Sequence, residues 1–95
     1  MDMHDKELNT LYEAIISLKT PEECHRFLED ICTVKEVHAM SQRLQVAKLL
    51  EEGKNYIEIS EETGASSATI CRVNKCLTNG SGYRVALDRI NQAGV

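Results

Sequence analysis

Residues 55–77 read NYIEISEETGASSATICRVNKCL, two short helical patterns separated by a glycine, with the spacing of a helix-turn-helix. Gly64 stands where the chain must reverse sharply, a position at which only glycine takes positive φ without steric cost. Before it, Ile57 and Ile59 flank Ser60, a small residue where a second helix is expected to approach closely. After it, Ala65, Ile70, Val73 and Leu77 recur at helical intervals and mark a buried side. Ser66, Ser67, Ala68, Cys71, Arg72 and Lys75 are left for the opposite side, small at its start and basic further along. A helix that lies in a major groove needs this layout: little bulk where backbone meets duplex, then donors for phosphates and base edges. A plain helical hairpin capped by Gly64 has the same local signals, so the rest of the chain must weigh between the two.

The 95 residues suffice for one domain and leave no room for a second core. Aromatics are limited to Tyr12, Phe27, Tyr56 and Tyr83, and the apolar residues are mostly Leu, Ile, Val and Ala at helical spacing. Helices sharing a core between two subunits suit such a chain better than a monomer. The net charge of -4 hides a gradient: residues 63–95 carry Arg72, Lys75, Arg84 and Arg89 against Asp88 alone. Phosphates are therefore expected at the C-terminal third and repelled elsewhere. The polar, acidic start MDMHDKELNT has no hydrophobic signal core, and no apolar run reaches membrane-spanning length, so a cytoplasmic protein is expected.

Cys24, Cys32, Cys71 and Cys76 show no CxxC spacing, and His4, His25 and His38 are scattered, so no metal site is expected and the thiols read as buried or neutral. No nucleophile–base pair, phosphate loop or carboxylate pair stands out. The chain reads as a non-enzyme without cofactors.

Upstream, the apolar residues Leu8, Leu11, Tyr12, Ile15, Ile16 and Leu18 give a helix over 6–18 broad enough in its apolar face to be sandwiched. Thr20-Pro21-Glu22-Glu23 supplies a capping Thr, Pro at the first helical position and Glu three residues after the cap. The helix it starts runs to about Ile31, with Cys24, Phe27, Leu28 and Ile31 expected inward. Thr33-Val34-Lys35-Glu36 repeats the cap, and a longer helix follows to Glu52, stopped by Gly53. Its stripe is Val37, Met40, Leu44, Ala47 and Leu50, widened by Val46 and Leu49. Residues 78–82 read as a flexible loop, and a last short helix over 83–93 carries Val85, Ala86, Leu87 and Ile90. Six helices and no strand make the expected fold all-α.

KLLEEGKNYIEISEET followed by GASSATICRVNKCL resembles the Trp repressor superfamily, in its small YerC/YecD-like branch. The likeness covers roughly residues 8–90 and is sharpest over 41–77, through Ser41-Gln42-Arg43-Leu44, Leu49-Leu50, Gly64-Ala65 and Ala68-Thr69-Ile70-x-Arg72. It implies an intertwined homodimer: dimerisation helices over 5–52, a helix-turn-helix over 55–77 and a C-terminal helix over 83–93. Two reading heads one turn of duplex apart, about 34 Å, imply a two-fold symmetric operator on double-stranded DNA.

The resemblance also implies a candidate effector pocket at Thr33, Arg43, Arg72, Val73 and Cys76. Arg43 and Arg72 match arginines on the two faces of the tryptophan corepressor, and Thr33 and Thr69 match threonines at the pocket and reading-head edge. Two positions depart from the pattern. Val73 replaces a glycine that lets the indole approach the backbone, and Cys76 replaces a serine that helps hold the ligand. A valine fills the space the ring needs, and a thiol is a weak hydrogen-bond partner. Tryptophan is thus not the expected corepressor and another small effector stays open; the arginines have a plain alternative role, Arg72 on a phosphate and Arg43 paired with a carboxylate such as Glu36 or Glu51.

The leading reading is a sequence-specific transcriptional repressor. Ser66, Ser67, Ala68 and Cys71 would face base edges, with Thr69, Arg72 and Lys75 on phosphates or base edges. The alternative is a helical dimerisation or adaptor module that no longer reads DNA. Salt-dependent duplex binding separates the two.

Overall fold

The structure is a computed structural model that describes residues 5–93. Its described residues form six helices and no strand: α1 (Asp5–Ser17), α2 (Pro21–Ile31), α3 (Val34–Glu51), α4 (Tyr56–Thr63), α5 (Ser67–Asn79) and α6 (Gly82–Gln92). None of them is long and apolar enough to cross a membrane.

Capping chemistry sets most of the boundaries. The Thr20 hydroxyl accepts from Glu23 N–H at 3.1 Å, and the Glu23 carboxylate accepts from Lys19 N–H at 2.8 Å. At the head of α3 the exchange is reciprocal: Glu36 N–H donates to Thr33 Oγ1 at 3.1 Å, and Thr33 N–H donates to Glu36 Oε1 at 2.7 Å. The Thr33 backbone N–H foremost, and the Thr33 side chain second, hold the Glu36 carboxyl below the usual carboxylate range. Because the folded value is depressed, the contribution is present above the unfolded value and disappears as pH falls through the folded one. Thr33→Ala should therefore raise the Glu36 midpoint in a carboxyl-carbon NMR titration. Because alanine keeps the backbone N–H, an unmoved midpoint would show that the Thr33 hydroxyl adds nothing to the hold on the carboxylate.

Packing divides the chain into two compact units, Met1–Val37 and His38–Val95. In the first, neither α1 nor α2 has a buried residue. The expected inward set is only partly sheltered: Phe27 and Leu28 are half-buried, while Cys24 and Ile31 are exposed. On α1, Ile16 is 80% exposed, so the face expected to be sandwiched has no covering layer within this unit. Two short helices have no third surface with which to enclose an interior.

The second unit has a closed core of Val46, Ala47 and Leu49 from α3, Ile59 from α4, Ala65 from the turn, Ile70 and Val73 from α5, and Leu87 from α6. Leu50 and Tyr83 pack against it. α5 lies between α4 and α6, touching both. The buried side of α3 is centred on the residues expected only to widen it, whereas Met40 and Leu44 are exposed. The core is confined to the C-terminal part of α3, from Val46 onward, so the stripe nearer its start stays open.

Ser60 also departs from expectation. It is exposed, as is Ile57, and the small residues buried in the core are Ala47 and Ala65. With Ile59 aimed inward, Ser60 points about 100° and Ile57 about 160° away from it around the helix. α5 in turn continues through Thr78 and Asn79, which the sequence assigned to a loop, and Gly80 N–H extends its ladder onto Cys76 O at 2.8 Å.

Gly64 ends α4 in the left-handed region, φ +74, with its N–H on Ser60 O at 2.8 Å. An added Cβ there would meet nothing within 4 Å, so substitution costs backbone strain alone. Gly64→Ala should destabilise the second unit by about 1–2 kcal/mol. Unchanged urea unfolding would remove the turn conformation from the reasons for this glycine.

Candidate nucleic-acid interface

The turn that launches α5 is held from three directions. Thr63 Oγ–H donates to Ile59 O at 2.7 Å and the same oxygen accepts from Ala65 N–H at 3.1 Å. From α3, Gln42 Nε2 donates to Thr63 O at 3.1 Å, tying the end of α4 to the longest helix. At the other end of α4, Asn55 and Glu58 form a reciprocal capping box. The Asn-x-x-Glu spacing of that box is a local signal that went unread in the sequence, whereas the partner of Gln42, 21 residues away, follows from no local pattern.

Ser66 is the N-cap of α5: its hydroxyl oxygen accepts from Thr69 N–H at 3.2 Å and lies 3.2 Å from Thr69 Oγ1. Ser66 and the half-buried Thr69 thus spend hydrogen-bonding capacity on starting the helix. Ser67, Ala68, Cys71, Arg72 and Lys75 are all exposed and share one face, opposite the buried Ile70, Val73 and Leu77. From Ala68 to Lys75 this face runs about 10 Å at the helical rise per residue.

α5 carries no acidic residue. The one contact between a basic side chain and a carboxylate among the described residues is His25 Nε2–Glu29 Oε1 at 3.4 Å on α2. Arg72 and Lys75 therefore present charge with no carboxylate partner. Arg43 has none either, which corrects its expected pairing with Glu36 or Glu51; the Glu36 carboxylate is turned to Thr33 instead.

The five residues of the expected effector pocket have different settings. Thr33 caps α3 in the first unit, and the other four belong to the second. Arg72 is exposed on the outer face of α5, Arg43 is half-buried on α3, and Val73 is 1% exposed inside the core. Cys76 lines an open groove of about 800 Å³ with Leu44, Lys75, Asn79, Tyr83 and Ala86. Of the two settings expected for the thiols, buried or neutral, burial does not occur: Cys24, Cys71 and Cys76 are exposed and Cys32 is half-buried, all unpaired.

Arg84 was grouped with the phosphate-facing charges. Its Nε instead donates to Leu77 O at 3.0 Å, near the end of α5.

Known proteins share this architecture. The family model of the Trp repressor protein matches residues 6–91. YerC of Bacillus subtilis (strain 168) is 50% identical over 91 residues, spanning 95% of this chain and 88% of its own. The crystal structure of a TrpR-like protein from Eubacterium eligens superposes with a TM-score of 0.87 at 45% identity, covering 90% of each chain. A second solved structure, from Staphylococcus aureus, gives 0.86 at 44% identity over 96% of each chain.

Proposed function

The chain belongs to the Trp repressor family, and from that we propose that it is a DNA-binding transcriptional regulator, a homodimeric repressor of a two-fold symmetric operator. The observation that carries this reading is the exposed, acid-free face of α5, with Arg72 and Lys75 unpaired beside small side chains. α4, the Gly64 turn and α5 act as a helix-turn-helix over 55–77. Ser67, Ala68 and Cys71 meet base edges, while Arg72, Lys75 and the capped N-terminus around Ser66 and Thr69 meet phosphates. Few long donors face the bases, so bridging water and DNA shape supply much of the selectivity.

A second copy completes the fold. The apolar face of α1, together with Ile31 and Val34, is open: Ile16 is 80% and Val34 73% exposed. Helices of 13 and 11 residues without a buried side chain have little stability of their own. Pairing the helices of residues 5–52 between two chains covers those faces in one 1–95 domain, with α6 as its C-terminal helix. Such a dimer works in the cytoplasm, on double-stranded DNA, without a metal, a cofactor or enzymatic chemistry. Fluorescence anisotropy with a mixed-sequence duplex tests the reading: affinity falls steeply with salt for a DNA binder. A protein adaptor would show no duplex binding at any salt.

Tryptophan is not the effector. Val73 is part of the packed core, and making room for an indole there would displace Ile59, Ile70 or Leu87. Isothermal titration with L-tryptophan is expected to show no micromolar binding, and a micromolar constant would overturn this assignment.

A further inference from the structure

We infer that Arg84 is a positioning residue for the reading helix: by capping α5 from α6, it fixes the end of the helix that presents Lys75. The inference rests on reading α5 as the DNA-contacting helix. Its structural half stands apart from that reading.

The ladder of α5 ends with Gly80 N–H on Cys76 O. The next carbonyl, Leu77 O, receives Arg84 Nε–H at 3.0 Å in a part-buried setting, from seven residues further along the chain. The last carbonyls of a helix have no intrahelical donors, and a cation beside them also offsets the helix dipole. Gly80 fits the same joint tightly: a Cβ there would sit 3.0 Å from Cys76 O.

α6 depends on this joint as much as α5 does. Its N-cap, Ser81, makes no side-chain capping bond. It is held instead by Leu87 in the core, Tyr83 against it, and the Arg84 bond. Lys75 and Cys76 occupy the last turns of α5 before this clamp. Loss of the Nε donor leaves Leu77 O without that partner and lets the last turn fray, so Lys75 loses its fixed angle to a duplex. Arg84 acts through α5 and not on phosphate, so its removal should weaken binding without releasing fewer counterions.

The test compares Arg84→Met, which keeps the alkyl stem, with Arg84→Lys, which keeps the charge. In the free protein, Arg84→Met is expected to lower amide hydrogen-exchange protection at Thr78, Asn79 and Gly80 while protection at Ile70 is retained. On a bound duplex, both variants are expected to bind about tenfold more weakly with an unchanged slope of log affinity against log salt. A slope reduced by about one in Arg84→Met would make Arg84 a phosphate contact and overturn the inference. So would wild-type exchange at Thr78–Gly80, or full affinity in Arg84→Met. If exchange rises as expected but the wild type binds no duplex, the clamp stands and the DNA reading of α5 fails with the functional half of this inference.

Discussion

Ile70→Ala is expected to destabilise the second unit by about 3–4 kcal/mol, within the range for emptying a packed aliphatic site. Ile70 is fully buried, at 0% exposure, among Val46, Ile59, Val73 and Leu87. These come from four different helices, so no single neighbour can move to fill the space. The same helix supplies its own control. Thr78→Ala, at an exposed position of α5, should change stability by no more than about 0.5 kcal/mol. Urea unfolding at fixed protein concentration measures both. Equal midpoints for the two variants would mean that the inward side of α5 has been misassigned, and its outward side with it.

Arg72→Ala carries the largest expected functional effect. One phosphate contact fewer should reduce the slope of log affinity against log salt by about 0.9 and weaken binding to every duplex alike. Arg72 is exposed and has no carboxylate partner among the described residues, so no ion pair among them is broken and the variant should unfold like the parent. Lys54→Ala, at an exposed residue between α3 and α4, provides the comparison. If both variants keep the parent slope, phosphate contact lies elsewhere than on Arg72.

The local half of this fold was open to reading and the long-range half was not. Thr20, Thr33 and Gly64 announce their helix ends by chemistry within four residues, and each acts as its neighbours require. Ile70, Val73 and Leu77 repeat at helical spacing and are buried together. What periodicity cannot choose is which part of a broad apolar face is covered. α3 buries Val46, Ala47 and Leu49 and leaves Met40 and Leu44 open. Likewise α1 has an apolar face that its own unit does not enclose.

At the candidate site, the exposed group on α5 follows directly from subtracting the buried stripe. The roles of Ser66 and Arg84 do not. Ser66 shows the sequence signature of a cap as well as that of a base contact, and its hydroxyl is engaged with Thr69. Arg84 counts as a free positive charge until the chain turns back at Gly80 and brings it to the carbonyl of Leu77.

The most direct test of the central claim is selection from a random duplex pool at near-physiological salt, run with and without tryptophan. The account predicts enrichment of a two-fold symmetric motif whose half-sites lie one helical turn apart, in both conditions alike. No enrichment in either condition, from a protein that is folded and dimeric, would contradict a DNA-reading α5.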